Sequence, residues 1–128
     1  MRVKHFTIKD PETWYQPDKQ QIFLGDVVDP ANSETMSAGF ARYNKSESNE
    51  FIVTYDEVLI ITKDVFTVRS KDGDNTAKAG EIIYLTKNTE VVYHAEEDTE
   101  LVYVTYPHWF ETHRNSQYAY LLDKYHPV

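Results

Sequence analysis

Apolar residues in this chain are grouped in short runs that turn-forming residues separate. The runs fall between about residues 20 and 110, recur roughly every ten residues and are rich in β-branched and aromatic side chains. In residues 65–70 (VFTVRS), Phe66 and Val68 share one face and Thr67 and Arg69 share the other, which is the two-residue period of a strand. This spacing is typical of an all-β sandwich or barrel.

Turn residues set the limits of the predicted strands. We predict strands at residues 21–28, 36–43, 51–55, 57–62, 65–70, 81–85, 90–95 and 99–106. The pair Asp72-Gly73 predicts a hairpin turn, because such a pair tolerates the positive φ that tight turns demand. Residues 29–32 and 86–89 are predicted turns, and residues 45–49 are a predicted polar loop.

A helical period occurs only near the C-terminus, at residues 116–125. Tyr118, Leu121, Leu122 and Tyr125 lie at positions i, i+3, i+4 and i+7, and Ser116 is a suitable residue to cap the helix. We predict a short helix that packs on the outside of the barrel, with a lid or a dimer contact as the alternative roles.

Composition narrows the classes of function. The net charge is −8 and the sequence has no basic stripe, which argues against nucleic-acid binding. The chain has no cysteine, no signal-peptide pattern and no apolar run of about 20 residues. We therefore predict one domain over residues 1–128 that is cytoplasmic and does not enter a membrane.

Two segments lie where a known family has its conserved motifs. Residues 56–68 (DEVLIITKDVFTV) and 79–91 (AGEIIYLTKNTEV) resemble the first and second motifs of the cupins. The chain is more similar still to the cupin domain of the EutQ-type ethanolamine-utilisation proteins, over about residues 20–110. The matching segments are residues 26–28, 36–40, 55–57, 77–80 and 101–107. The resemblance implies an RmlC-like jelly roll, a double-stranded β-helix, that pairs as a homodimer.

The metal-binding positions of the cupin motifs are not kept. Glu57 takes the place of the first motif's glutamate, but its two histidine positions fall at Phe51 and Val53, or at Glu50 and Ile52 with the longer spacing. Val91 replaces the histidine of the second motif. Asp64 and Asn88 stand at two glycine positions, and both residue types tolerate left-handed turns. We predict no metal ligands and no cofactor.

The chemistry that remains centres on Glu57. In the motif's register its carboxylate faces the barrel interior, where desolvation would raise its pKa and suit it to proton transfer. Tyr55 has the same parity, so both are candidate catalytic residues. The alternative is a Glu57 that is structural or exposed at a strand end.

Further residues are candidates for ligand binding. Tyr84, Tyr93 and Tyr103 are predicted to line the interior, although plain core packing suits at least one of them. Arg42 shares its parity with apolar residues, so it would pair with Glu57 or bind an anion, unless it reaches water near the strand end. His94 is predicted to point outward, opposite to Tyr93.

Three classes of function fit these residues. The first is a metal-free enzyme that binds a small polar metabolite and uses Glu57 for acid/base chemistry. The second is a non-catalytic binding protein, and the third is a structural dimer that buries the run Val58-Leu59-Ile60-Ile61 on both faces. The resemblance to EutQ also implies acetate kinase activity and bacterial microcompartments, although the sequence has no phosphate-binding loop.

Overall fold

A computed structural model describes residues 2–128 and places about half of them in two antiparallel sheets. The larger sheet consists of β1 (Tyr15–Pro17), β2 (Ile22–Val28), β3 (Ser37–Tyr43), β5 (Asp56–Lys63), β8 (Ile82–Leu85), β10 (Thr99–Tyr106) and β11 (Tyr125–Pro127). The smaller sheet consists of β4 (Ser48–Val53), β6 (Val65–Ser70), β7 (Gly73–Lys78) and β9 (Thr89–His94). The strand orders are β11-β1-β2-β3-β10-β5-β8 and β4-β9-β6-β7.

From β3 to β10 the chain passes back and forth between the two sheets, as in a double-stranded β-helix. Buried and exposed residues alternate along β5, β9 and β10, so one face of each sheet is turned inward. The buried apolar side chains of both sheets form one continuous core. The predicted all-β jelly roll is therefore confirmed.

Two non-glycine turns link strands of different sheets. Asp64, between β5 and β6, has φ 62°, and Asn88, between β8 and β9, has φ 69°. The backbone N–H of Asn88 donates to Val53 O at 2.6 Å, and Asp64 O accepts from the N–H of Ala79 at 2.9 Å. These are the two residues that were expected to replace glycines in left-handed turns, and that prediction is confirmed.

The predicted helix at residues 116–125 is wrong. A six-residue helix, α1 (Trp109–Arg114), comes earlier, and a 3₁₀ turn (Ala119–Leu122) and β11 follow it. Ser116 forms a tight turn, because its Oγ donates to His113 O at 2.7 Å and accepts from the N–H of Tyr118 at 3.1 Å. Pairing of β11 with β1 then outweighs the helical period, and the apolar side chains of this segment still pack on the core.

Three strands have no counterpart in the sequence analysis: β1, β7 and β11. Strand β7 (GDNTAK) is almost wholly exposed, so no apolar period marks it, and it forms only by pairing with β6. The predicted loop at residues 45–49 is shorter than expected, because β4 begins at Ser48. None of the helices in residues 2–128 has the length and hydropathy of a membrane span.

Candidate functional site

A cavity of about 50 Å³ lies between the two sheets. Its walls are mainly aromatic, with a single carboxyl group and one amide. The lining residues are Leu24, Ala41, Tyr43, Asn49, Phe51, Tyr55, Glu57, Leu59, Phe66, Tyr93, Leu101, Tyr103, Trp109 and Tyr125.

Glu57 is the acidic residue in this wall. Its inward position follows from the register of β5, in which it lies opposite Thr105 of β10 and Leu85 of β8. The residue is only 7% exposed, and Glu57 Oε1 accepts a hydrogen bond from the Tyr93 hydroxyl at 2.7 Å. Within residues 2–128 the carboxyl has no other hydrogen bond, so Oε2 remains available to the cavity.

The surroundings of Glu57 change its acidity. Burial raises the pKa of Glu57 from 4.5 to about 7, and the hydrogen bond from Tyr93 opposes this shift only in part. The carboxyl therefore gains and loses a proton near neutral pH. A group with these properties is suited to act as a general acid or base.

Tyr55 presents a second unpaired polar group to the cavity. It lies between β4 and β5 and is 3% exposed. Its hydroxyl has no hydrogen-bond partner within the described chain, residues 2–128, although Tyr55 lines the cavity. Burial, followed by the negative charge of Glu57, raises the pKa of Tyr55 well above 10, so the phenol stays protonated.

Other polar groups of the cavity are paired with one another. The Tyr43 hydroxyl donates to Asn49 Oδ1 at 2.8 Å, and Asn49 Nδ2 donates to the Tyr125 hydroxyl at 3.1 Å. These two bonds join β3, β4 and β11. Glu57 Oε2 and the Tyr55 hydroxyl have no such partner in residues 2–128. They are therefore the groups to which a bound molecule could form hydrogen bonds.

Asp26 of β2 joins three elements at one end of the cavity. Its Oδ1 accepts hydrogen bonds from the Tyr103 hydroxyl of β10 and from Trp109 Nε1 of α1, the latter at 2.9 Å. Burial raises the pKa of Asp26, and these two hydrogen bonds oppose the shift. Gly39 makes the arrangement possible, because a Cβ at that position would overlap the Tyr103 hydroxyl.

Trp109 also lines an open cleft of about 460 Å³ outside the cavity. Carboxylates outnumber cations in this cleft. Its charged residues are Asp10, Glu12, Asp26, Asp29, Glu111 and Arg114.

The predicted inward positions of Glu57, Tyr55, Tyr93 and Tyr103 agree with the structure, since all four line the cavity. His94 points outward as predicted: its Nδ1 meets the Ser48 hydroxyl, and its Nε2 lies 3.1 Å from Glu96 Oε1.

The predicted inward positions of Arg42 and Tyr84 are wrong, and for Arg42 the alternative, a side chain that reaches water, agrees with the structure. Arg42 is on the outer face of β3, where its Nε lies 3.8 Å from Glu100 Oε2 and its guanidinium lies over the Trp14 ring. Tyr84 is 61% exposed and lies beside Val58 on the outer face. The buried residues are instead their neighbours in sequence, Ala41 beside Arg42 and Leu85 beside Tyr84.

Sequence reasoning missed five residues of the site: Tyr43, Asn49, Asp26, Trp109 and Tyr125. Tyr43 shares its parity with Ala41, so the strand period of β3 could have indicated it. Asn49 and Tyr125 fell in segments predicted as a loop and a helix, and the tertiary contacts of Asp26 and Trp109 leave no local pattern.

The residues at the cupin metal-binding positions do not fit a metal ion. Phe51, Val53 and Val91 are buried apolar side chains at the positions of the histidines, which favours the shorter of the two spacings. Glu57 keeps the place of the glutamate. Among residues 2–128, no three His, Cys, Asp or Glu side chains are grouped closely enough to hold a metal.

Comparison with known proteins assigns the family. The family model for the ethanolamine utilisation protein EutQ matches residues 12–111. The chain belongs to the EutQ family. One relative, the "Acetate kinase EutQ" of Salmonella typhimurium, is 24% identical over 86 residues, which are 67% of this chain. The chain spans 37% of the length of that curated relative.

Solved structures support the cupin fold of this EutQ-family chain. A protein of unknown function from Rhizobium leguminosarum is 29% identical, with a TM-score of 0.69 over 84% of this chain and 100% of that one. An RmlC-like cupin from Shewanella frigidimarina has a TM-score of 0.66 at 11% identity, covering 82% of this chain and 92% of the other. The latter likeness concerns the fold alone.

Proposed function

We propose that the cavity binds one small polar metabolite and that Glu57 exchanges a proton with it. The observation that carries this proposal is the pair of polar groups without a hydrogen-bond partner in residues 2–128, Glu57 Oε2 and the Tyr55 hydroxyl, on residues that line the cavity. No side-chain nitrogen or oxygen of these residues is both fully buried and unbonded, so both groups are accessible to a molecule in the cavity. No metal takes part in the proposed chemistry.

The proposed roles follow from the contacts. Glu57 accepts or donates the proton, because its pKa of about 7 lies close to neutral pH. Tyr93 fixes one oxygen of the Glu57 carboxyl, so that the other oxygen is directed at the ligand. Tyr55 orients the ligand through a hydrogen bond, since its hydroxyl stays protonated. In a binding protein without catalysis the same contacts would serve affinity alone.

Acetate kinase activity, the activity named for the Salmonella relative, is the weaker candidate. Phosphoryl transfer requires positioned cations, and the cavity lining includes no lysine, arginine or histidine. We expect purified protein given ATP, magnesium and acetate to form no acetyl phosphate above background, and formation at an enzymatic rate would favour this alternative instead.

A library of small metabolites, tested by thermal shift, checks the proposed function. We expect hits that vanish in Ala41→Val, because Ala41 lines the cavity and is 1% exposed, so that added methyl groups fill the binding space. Ala38→Val is the matched control, since Ala38 lies on the same strand but on the outer face.

The outcomes separate binding from catalysis. Hits that survive in Ala41→Val, or a library without hits, would contradict the cavity as the binding site. For a hit that the protein converts, we expect Glu57→Gln to lower kcat by about 100-fold or more, which is the usual contribution of a general acid or base. A full rate in Glu57→Gln would leave binding as the function.

A further inference from the structure

We propose that the ligand is a small amine, bound as a cation. The inference rests on the proposed function and narrows the ligand to one chemical class. Three observations support it: the charge of the lining, the aromatic walls and the acceptor atoms.

The cavity wall contains one carboxyl group and no basic side chain. Glu57 is the ionisable acid of the lining, and neither lysine, arginine nor histidine is among the lining residues. An anion in this space would lose its hydration without gaining a partner of opposite charge. An ammonium group would instead form a charge-assisted hydrogen bond with Glu57 Oε2.

Aromatic rings form much of the wall that the cation would meet. Phe66 is the centre of a cluster: its ring lies 4.9 Å from that of Tyr43, edge to face, and 6.0 Å from that of Tyr93. The faces of aromatic rings attract cations, and cages of such rings recognise ammonium groups. The remaining aromatic residues of the wall are Phe51, Tyr55, Tyr103, Trp109 and Tyr125.

The hydrogen-bond groups agree with this class. An ammonium group has three donors and no acceptor, and Glu57 Oε2 and the Tyr55 oxygen are acceptors without partners in residues 2–128.

Affinity for an amine should depend on pH through Glu57. Binding requires the carboxylate, so affinity should rise about tenfold between pH 6 and pH 8 for a carboxyl of pKa about 7. The other ionisable groups that face Glu57 keep their protons in this range, because burial raises the pKa of each. They are Tyr43, Tyr55, Tyr93, Tyr103 and Tyr125. Asp26, whose pKa burial also raises, is held by Tyr103 and Trp109.

Calorimetric titration with three probes of equal size tests the inference: propylamine, propanol and acetate, each with four non-hydrogen atoms. We expect propylamine to bind at pH 8 with a dissociation constant in the millimolar range or below, since so few atoms give modest affinity. Propanol should bind at least tenfold more weakly, and acetate should give no heat of binding. Propylamine should bind about tenfold more weakly at pH 6.

Variants locate the amine and its partner. Glu57→Gln should weaken propylamine at least tenfold, remove its pH dependence and leave propanol unchanged. Ala41→Val should abolish propylamine binding, whereas Ala38→Val should keep it, which separates the cavity from the acidic surface. Thermal unfolding of each variant confirms that it is folded before titration.

The outcomes distinguish this inference from the proposed function. Acetate or propanol binding as tightly as propylamine, in a manner that Ala41→Val blocks, would overturn the amine class and leave the cavity as a binding site. Propylamine that still binds to Ala41→Val, or that fails to bind to the wild type, would also overturn it. The proposed function itself fails only when the metabolite library gives no hit that depends on Ala41.

Discussion

The two faces of strand β5 each depart from the usual distribution of polarity. On the inner face Glu57 is buried beside the apolar Leu59 and Ile61, while Val58 and Ile60 lie on the outer face and are only half-buried. Beside them on β8, Ile82 is 64% exposed. Burying a carboxyl and exposing apolar side chains are both unfavourable for an isolated domain. We therefore propose a use for each face: the inner face for a ligand, the outer face for a partner.

Adjacent isoleucines on β5 give the largest expected contrast between the faces. Ile61→Ala should lower the free energy of unfolding by about 2–5 kcal/mol, because Ile61 is 1% exposed and its removal leaves a void in the core. Ile60→Ala should cost about 1 kcal/mol or less, since Ile60 already meets solvent. Urea denaturation of both variants measures the difference. Equal losses would mean that the outer face is packed as tightly as the core.

The pH dependence of the free energy of unfolding tests the burial of the Glu57 carboxyl on the inner face. The folded-state pKa of Glu57 is raised from 4.5 to about 7, so the native state holds a proton that the unfolded chain loses in this range. Stability therefore falls as pH rises through this window and becomes constant above it. Between pH 5 and pH 8 the loss due to Glu57 is roughly 2–3 kcal/mol.

Glu57→Gln should remove that part of the loss, because glutamine has no proton to release. Glu50→Gln, on an exposed position of β4, is the matched control and should leave the decline unchanged. Urea denaturation at both pH values gives the comparison. An equal decline in wild type and Glu57→Gln would show that Glu57 is ionised in the folded protein at pH 5.

A substitution on the outer face should change the stability of the monomer least, but it should change the oligomeric state. We propose that two copies meet there, because Val58, Ile60, Ile82 and Tyr84 carry no charge in a chain whose net charge is −8. Light scattering after gel filtration should show a dimer for the wild type.

A charge on that face should then separate the copies. Tyr84→Glu should give a monomer, with a change below about 0.5 kcal/mol in monomer stability, because the side chain is exposed. Asn75→Glu, on the exposed strand β7, serves as the control and should remain a dimer. A monomeric wild type, or a Tyr84→Glu dimer, would exclude this face as the interface.

Much of the barrel could be predicted from the sequence, because alternation and turn chemistry are local properties. The strand parity correctly placed Glu57, Tyr55 and Tyr93 inside, and the tolerance of Asp64 and Asn88 for positive φ followed from residue type alone. Parity by itself does not say which face of a strand is the inner one when both are apolar.

Strand β3 shows how that limit affected the candidate site. Phe40 and Ala38 suggested an inward Arg42, whereas Gly39, Ala41 and Tyr43 form the buried side. The C-terminal segment shows a second limit, since the pairing of β11 with β1 joins residues far apart in sequence. A helical period in Tyr118 to Tyr125 carries no information about that pairing.

The position of Trp109 has a consequence for the association rate of ligands. Trp109 lines the cavity and also the cleft, whose lining includes Asp10, Glu12, Asp29 and other carboxylates but a single guanidinium, that of Arg114. A field of this sign concentrates cations near the cavity and repels anions. We therefore expect the association rate of a cationic ligand to fall as ionic strength rises, because dissolved salt screens the cleft.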